Sequence, residues 1–416
     1  MESDARPLDG SDIGTLTGGP PASALPFRAS YLPFSPPAVG EDEIAEVVEA
    51  LRSGWITTGP KAGQFEAAFA ARLGAPGALA LNSCTAGLHT ALATLGIGLG
   101  DEVITTPMTF AASVNVIEHV GARPVLVDVE HDTLNIDPAA VERAITPRTR
   151  ALLPVHFAGH PAELDALSAL ARQHGLAVIE DAAHSLPAAY RGRPIGSGAN
   201  PVAFSFYATK NLTTGEGGML TGSAEFLERA RVLSLHGMDR DGWKRYAKGG
   251  NWFYEIVAPG FKYNMTDIQA AMGLAQLRRL DAMQRRRREV VSLYHDALRD
   301  EEAVELPVER GHVEHAWHLY VVRLRLDRLR IDRDQVIREL TARNIGTSVH
   351  FIPVHRLTYF SQIALIPPGG MAGADALFEQ LLSLPIYPRL TDDQIDTVCG
   401  AVADIAHRRF SREGAE

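Results

Sequence analysis

The sequence has few cysteines and none of the features that direct a chain into the secretory pathway. Its 416 residues include only two cysteines, Cys84 and Cys399, which are too few for a disulfide framework or a cysteine-based zinc site. Residues 1–26 contain no basic segment followed by an apolar run, so no signal peptide is predicted. We therefore predict a cytoplasmic protein.

Basic charge is also in deficit. Lys and Arg together number 40 against 50 Asp and Glu, which gives a formal net charge of −10. A duplex DNA-binding protein needs a basic face, so no nucleic-acid partner is predicted, although a local pocket for a phosphorylated small molecule remains compatible with this balance. No HExxH motif occurs, and His156 and His160 are separated by Gly159, so we predict no metal site.

Charged residues are absent from one long segment. Between Leu73 and Gly100, 28 consecutive residues include no Asp, Glu, Lys or Arg. That length would suit a membrane-spanning helix. The segment carries six glycines and the polar residues Asn82, Ser83 and Thr85, which make a lipid-facing helix unfavourable, so no membrane contact is predicted.

Between residues 60 and 225 the hydrophobic pattern alternates between strands and helices. The predicted strands are Ala78–Leu81, Glu102–Thr105, Pro124–Val127, Ala151–Val155, Ala177–Ile179, Val202–Tyr207 and Gly218–Leu220. The predicted helices are Thr85–Leu95, Phe110–Val120, Pro138–Ala144 and Ala162–His174. This order is typical of an α/β fold with a mostly parallel sheet covered on both faces, in which ligands bind beyond the carboxyl ends of the strands.

The pattern changes after a long helix predicted over 266–298. Its basic run Arg285–Arg288 is interpreted as a solvated helix face, with a polyanion site as the alternative. The elements predicted beyond it are strands Trp317–Leu326 and Gly346–Phe351 and helices Asp334–Arg343, Ala374–Leu382 and Asp392–Arg408. We predict a flexible tail over 1–26, a large domain over 27–294 and a small α+β domain over 295–416, with residues 27–55 free to pack on the small domain.

Lys210 lies just past the predicted strand Val202–Tyr207. Burial of its ammonium group would lower its pKa and free the amine as a nucleophile, and lysine amines form Schiff bases with carbonyls such as that of pyridoxal phosphate. Ser205, five residues earlier, offers a hydroxyl for a phosphate. A lysine that only extends to the surface is the alternative.

Asp181 follows another apolar strand, and His184 comes three residues later. A carboxylate at this place can pair with a protonated pyridine nitrogen and keep a pyridoxal cofactor an electron sink, and His184 could lie beside the ring oxygen of the cofactor. The alternatives are a helix N-cap for Asp181 and an ordinary polar contact for His184.

Two further segments follow strands. The run from Asn82 to Ala86 opens a helix, where free N–H groups and the hydroxyls of Ser83 and Thr85 can bind a phosphate. Phe110 could stack on a flat ring, although a lone aromatic residue is more often part of a core. A phosphate cradle, a stacking ring, a carboxylate and a lysine at strand ends are the parts that a pyridoxal phosphate site requires.

These motifs together resemble the DegT/DnrJ-type sugar aminotransferase family, which has the aspartate aminotransferase fold, type I. The similarity extends from about Leu32 to Ala406. The runs that carry it are 53–60 (SGWITTGP), 82–86 (NSCTA), 179–184 (IEDAAH), 205–211 (SFYATKN), 215–218 (GEGG), 262–267 (KYNMTD), His350 with Pro353 and His355, and 384–388 (LPIYP).

The resemblance implies a seven-stranded, mostly parallel sheet in the large domain and a role for each matching residue. Lys210 would hold pyridoxal 5′-phosphate covalently, Asp181 would pair with its pyridine nitrogen and His184 would lie beside it. The other cofactor contacts it implies are Thr85, Ala86 and Ser205 at the phosphate, Phe110 on the ring and Asn264 at the phosphate of a neighbouring subunit. The last contact implies a homodimer with shared active sites.

The resemblance also implies the reaction. A member of this family would transfer an amino group from glutamate to a UDP- or dTDP-linked keto sugar, at C4. Some relatives are dehydratases with histidine in place of the lysine, and Lys210 argues for transamination. Transamination of a keto-cyclitol, sugar dehydration and a non-catalytic regulatory role stay open as alternatives.

Overall fold

The computed structural model describes residues 28–239 and 253–409. The tail predicted over 1–26 lies outside the described residues. The helices within them are α1 (Glu41–Ser53), α2 (Pro60–Leu73), α3 (Cys84–Thr94), α4 (Ala112–His119), α5 (Pro138–Ala144), α6 (Leu164–His174), α7 (Ala224–Ser234), α8 (Asp267–Leu298), α9 (Arg333–Thr341), α10 (Phe360–Ile363), α11 (Ala372–Gln380) and α12 (Asp392–Arg408).

The strands are β1 (Ala78–Leu81), β2 (Glu102–Thr105), β3 (Arg123–Leu126), β4 (Thr149–Leu153), β5 (Ala177–Val178), β6 (Glu180–Asp181), β7 (Ala189–Tyr190), β8 (Arg193–Pro194), β9 (Val202–Ser205), β10 (Gly218–Thr221), β11 (Val304–Glu305), β12 (Val313–Glu314), β13 (Tyr320–Leu324) and β14 (Leu381–Leu384). Every strand predicted between 60 and 225 is confirmed to within a few residues at its ends.

The central sheet has seven strand positions. Strands β3, β2, β4 and β5 pair in parallel, and β6, β9, β10 and β1 continue in that order. Only Ile179 separates β5 from β6, and its N–H donates to Leu152 O at 2.9 Å, so the two short strands form one interrupted strand. All positions are parallel except β10, which runs against both neighbours. The predicted mostly parallel sheet is therefore confirmed.

Helices cover both faces of this sheet because successive strand residues point to opposite sides. Ala78 and Ala80 of β1 belong to a core cluster that includes residues of α2 and α8, whereas Leu79 and Leu81 belong to a cluster that includes residues of α3 and α7. Within the charge-free segment, residues 78–94 include no exposed residue, so burial accounts for the absence of charge there, whereas the end at Leu99 and Gly100 is exposed. No helix among the described residues has the length and apolar character needed to cross a membrane.

Helix α8 joins the central sheet region to the C-terminal core. Leu280 packs with the sheet cluster, whereas Tyr294 and Leu298 belong to the C-terminal cluster. Leu32 packs into that same C-terminal cluster and exchanges hydrogen bonds with Asn344 and Gly346. The N-terminal segment and the C-terminal part of the chain are therefore packed together, while the boundary at residue 294 stays a prediction.

The basic run on α8 is only in part the solvated face that the sequence predicted, since Arg285 is exposed but Arg287 is not. Arg287 is buried, and its Nη1 donates to the carbonyl oxygens of Trp317 and Ile386 at 3.1 Å each. Burial lowers the pKa of Arg287 to about 9. The neighbouring Arg286 and Arg288 form ion pairs with Asp392 and Glu309. Arg286, Arg287 and Arg288 therefore stabilise the packing of the C-terminal core against α8.

Two predictions in the C-terminal part were wrong. Residues 346–351 form no strand, and only Ser348 makes an isolated bridge, with Ser383. The strand position beside β13 belongs to Leu381–Leu384, where the sequence pattern continued a helix to Leu382. A short apolar run fits either structure, and only pairing with β13 selects the strand.

Candidate active site

A cavity of about 590 Å³ opens at the carboxyl edge of the central sheet. It brings together most of the residues that the sequence placed at strand ends. Those that line it are Ser83, Thr85, Phe110, Asp181, His184, Ser205 and Lys210. Residues widely separated in sequence thus lie around one space, as expected for a ligand site of an open α/β sheet.

Lys210 enters this cavity from the loop after β9. Its backbone N–H donates to Tyr207 O at 2.9 Å, which closes a tight turn and directs the side chain inward. Desolvation lowers the pKa of the Lys210 amine from 10.5 to about 8, although Cys84 and Asp181 act in the opposite direction. About a tenth of the amine is therefore unprotonated and nucleophilic at pH 7, far more than at the ordinary pKa of 10.5.

This pKa gives a testable pH dependence. Only the unprotonated amine attacks a carbonyl, so the rate at which cofactor-free protein attaches pyridoxal phosphate should rise about tenfold per pH unit below pH 8 and level off above it. Stopped-flow absorbance after mixing measures this rate. A midpoint near 10.5, the ordinary value for lysine, would contradict the desolvated environment. Lys210→Met serves as the control that should attach no cofactor.

The N-terminus of α3 forms another part of the cavity wall. Ser83 caps the helix, and its Oγ accepts a hydrogen bond from Ala86 N at 3.0 Å, a cap that stabilises a helix by about 1 kcal/mol. No acidic residue occurs in the first turn. Gly218 lets β10 pass directly under this turn, because a Cβ there would lie 2.5 Å from Cys84 N. The result is a close-packed cradle with a positive helix end.

Asp181 lies at the end of β6 and is only 4% exposed. Its Oδ1 accepts a hydrogen bond from Ala183 N at 3.0 Å, and its Oδ2 accepts one from the Ser113 hydroxyl at 2.7 Å. Both oxygens are thus held in place. A fixed, buried carboxylate of this kind is suited to a cationic partner in the cavity.

Three histidines lie beside Lys210. Burial, followed by the charge of Lys210, lowers the pKa of His184 and of His318 well below 6.5 and lowers the pKa of His350 to about 4. The rings of His184 and His318 are 4.5 Å apart, and Phe351 stacks near His184 at 5.8 Å. These imidazoles are therefore neutral hydrogen-bonding groups at neutral pH.

Of three other predicted cofactor residues, one lies at the cavity mouth and two lie outside the cavity lining. Phe110 lines the cavity at its mouth and is 67% exposed, so its ring is free for stacking. Ala86 is buried and does not line the cavity, and its N–H is already donated to Ser83 Oγ. Asn264 also lies outside the lining, where its Nδ2 donates to Thr58 Oγ1 at 2.6 Å. The cofactor contacts of all three stay predictions.

Sequence reasoning missed the part of the wall that comes from elsewhere in the chain. The residues concerned are Phe34, Ser35, Tyr207, His318, Ser348, His350 and Phe351. None follows a strand of the central sheet, apart from Tyr207. Histidine is a common active-site residue type, which was the only signal in the sequence for His318 and His350. No local pattern indicated that they lie close to Lys210.

Cys84 lies in the cradle but does not act as a thiolate. Its thiol is buried and donates to Ala203 O at 3.4 Å. Burial raises its pKa well above 9.0, and the nearby Asp181 carboxylate raises it further. Cys84 is thus a small buried residue in a tight turn and has no role as a nucleophile.

The residues present fit pyridoxal 5′-phosphate. The α3 cradle suits a phosphate dianion, Lys210 offers an unprotonated amine for an aldehyde, and Asp181 offers a held carboxylate for a pyridinium. The close approach at Gly218 leaves the cradle no room for a side chain there.

Comparison with known proteins agrees with this geometry. Residues 37–403 match the model of the DegT/DnrJ/EryC1/StrS aminotransferase family. The spore coat polysaccharide biosynthesis protein SpsC of Bacillus subtilis is 50% identical over 91% of this chain and 98% of its own length.

Solved structures give the same result. A putative sugar aminotransferase of Streptococcus pneumoniae is 35% identical and covers 91% of this chain and 99% of its own, with TM-scores of 0.85 in its PMP form and 0.84 in its PLP form. DesV of S. venezuelae is 39% identical over 88% of this chain and 94% of its own, with a TM-score of 0.80.

Proposed function

The chain belongs to the DegT/DnrJ/EryC1/StrS aminotransferase family, and on that premise we propose that it transfers the amino group of glutamate to a UDP- or dTDP-linked keto sugar, at C4. It is a pyridoxal phosphate-dependent sugar aminotransferase, like its structural neighbours. The observation that carries the proposal is the meeting of Lys210, Asp181 and the α3 N-terminus in one cavity.

Each of these groups has a separate task. When bound, pyridoxal phosphate supplies an electron sink conjugated to the reacting amine. The α3 cradle binds the phosphate, and Asp181 holds the charge of the ring nitrogen. The Lys210 amine takes the proton from the α-carbon of the donor and, in the second half of the cycle, delivers a proton to the sugar carbon.

Two observations support a nucleotide-linked sugar as the substrate. The cavity, about 590 Å³, lies within the range of about 300–1,000 Å³ typical of small-molecule sites. A relative 50% identical takes part in polysaccharide biosynthesis, which consumes activated sugars.

A cytoplasmic location is also part of the proposal. Both cysteines are buried free thiols, which is typical of a protein in a reducing compartment.

A substrate panel tests the reaction. Purified protein with glutamate is expected to convert UDP- or dTDP-linked 4-keto sugars into amino sugars with one oxoglutarate released per product, and initial rates should show ping-pong kinetics. Mass spectrometry identifies the products. An amino product from keto-inositol alone would favour the cyclitol alternative, and loss of a sugar hydroxyl without gain of nitrogen would favour dehydration. No visible absorbance after added cofactor would favour a regulator.

A homodimer with shared active sites completes the proposal. Phe110 and Tyr207 line the cavity and are exposed, and Asn264 does not line the cavity of its own chain. In a mixture of Lys210→Ala and Asn264→Ala protein, random exchange of subunits should restore about a quarter of the sites if Asn264 acts across the interface. Light scattering gives the oligomeric state, and unchanged inactivity in the mixture would contradict sharing.

A further inference from the structure

Asp181 is held by a side chain that has no assigned role. Ser113, in the first turn of α4, is 1% exposed and lies 2.7 Å from Asp181 Oδ2. A second hydroxyl, Thr109 Oγ1, lies 2.7 Å from Ser113 Oγ on the other side. Both residues line the cavity. The two hydroxyls therefore form a short chain that ends on the carboxylate.

The direction of this chain is fixed by chemistry. An ionised carboxylate only accepts hydrogen bonds, and Asp181 Oδ2 at 2.7 Å is much closer to the Ser113 hydroxyl than its other acceptor, Phe110 O at 3.4 Å, so the single proton of Ser113 is donated to Asp181. Ser113 Oγ can then only accept from its neighbour, which makes Thr109 the donor. Thr109 thus donates to Ser113, and Ser113 donates to Asp181. Hydrogen bonds to an ionised acceptor are the strong ones, and a chain of donors strengthens the last bond.

The hydrogen-bond chain links the Asp181 carboxylate to the segment that carries Phe110. Thr109 directly precedes Phe110, the aromatic residue at the mouth, in the loop between β2 and α4. Ser113 fixes one carboxylate oxygen, and Ala183 N fixes the other. The orientation of the carboxylate is thus set from the first turn of α4 and from the segment that follows β6.

We propose that Ser113, supported by Thr109, is a positioning residue that orients and stabilises the Asp181 carboxylate towards the ring nitrogen of the cofactor. This inference rests on the proposed function only through the cofactor and does not depend on the identity of the sugar. Ser113 acts through Asp181, so its removal alters how tightly the protein holds pyridoxal phosphate and how fast protons are transferred, while leaving the sugar KM unchanged.

Cofactor affinity of the cofactor-free protein is the first measurement. Loss of one hydrogen bond to a charged group predicts that Ser113→Ala weakens pyridoxal phosphate binding about tenfold, as read by quenching of protein fluorescence. Turnover should fall by a similar factor. Ser113→Thr keeps the hydroxyl and should restore both values. Thr109→Val should give a smaller loss of the same kind.

Ser234→Ala is the matched control. Ser234 is also buried, at 3% exposed, and donates to the carbonyl oxygen of Arg231 at 2.9 Å, outside the cavity. It should leave cofactor affinity unchanged. An equal loss in Ser234→Ala, or an affinity within twofold of the parent in Ser113→Ala, overturns the proposal.

A double-mutant cycle separates positioning from packing. If Ser113 acts through Asp181, Ser113→Ala should cause no further loss of cofactor affinity in an Asp181→Asn background. Additive losses would show an independent structural effect and overturn the proposal. Melting temperatures of the cofactor-free variants check folding, and if Ser113→Ala does not fold, the same cycle with Thr109→Val decides. Because these readouts use no sugar, they stay valid if the substrate panel fails.

Discussion

Replacing Lys210 by alanine is expected to abolish both covalent attachment of pyridoxal phosphate and turnover. The variant loses the amine that attacks the aldehyde and the group that moves protons in both halves of the cycle, and general acid–base catalysis alone contributes up to about 10⁴-fold. The visible absorbance of the attached cofactor, followed by spectrophotometry, and oxoglutarate release measure the two losses. A Lys210→Ala enzyme that still cycles would refute the assigned role.

Two controls sharpen this result. Lys61 is ion-paired with Glu46 and Glu49 and does not line the cavity, so Lys61→Ala should keep attachment and turnover. A small primary amine such as ethylamine, added to Lys210→Ala, should recover part of the proton transfer because it supplies the missing base. Absence of any recovery would indicate that Lys210 acts mainly by holding the cofactor.

Asp181→Asn is expected to have the second-largest effect. Asparagine occupies nearly the same space but carries no charge, so a pyridinium in the cavity would lose its buried counter-ion. Removing one partner of a buried charge pair lowers function by about 10²–10³-fold. We expect that loss in kcat with little change in the melting temperature, measured by steady-state kinetics and calorimetry. Unchanged turnover would remove Asp181 from this role.

Glu180, the residue before Asp181, provides a matched control for the Asp181→Asn variant. Glu180 lies on the same strand, but its Oε2 is 3.2 Å from His156 Nε2 and its Oε1 accepts from Asn200, on the side away from the cavity. Glu180→Gln should lower stability and leave turnover per folded molecule close to that of the parent. A loss in Glu180→Gln equal to that in Asp181→Asn would point to general disruption of the strand.

The strand ends were predictable because a local pattern determines them. Glu102–Thr105 and Pro138–Ala144 have the predicted bounds, and the Ser83 cap marks the start of α3 within one residue of the prediction. Lys210 and Asp181 follow such strands, so the parallel arrangement alone brings their side chains to one edge. These residues already indicated pyridoxal phosphate, and the family resemblance added the sugar aminotransferase reaction.

Other features depend on partners distant in sequence. Helix α4 begins at Ala112, so Phe110 stands free at the cavity mouth, whereas the apolar pattern placed it inside the helix. Arg287 looked like part of a solvated run, and only the carbonyl groups of a distant loop and of Ile386 explain its burial. The periodicity of apolar residues predicts which side of a helix or strand is buried. It does not predict which distant residues pack against that side.

The sequence by itself determined the chemistry available to this protein. It specified a lysine, a carboxylate and a charge-free phosphate cradle, each at the end of a strand, because strand ends and helix starts follow from residues close together in the chain. Only the tertiary structure decided the electrostatics. The approach of His184, His318 and His350 to Lys210, and the burial that lowers the Lys210 pKa to about 8, arise from long-range packing. Desolvation depends on all surrounding atoms, most of which lie far away in sequence.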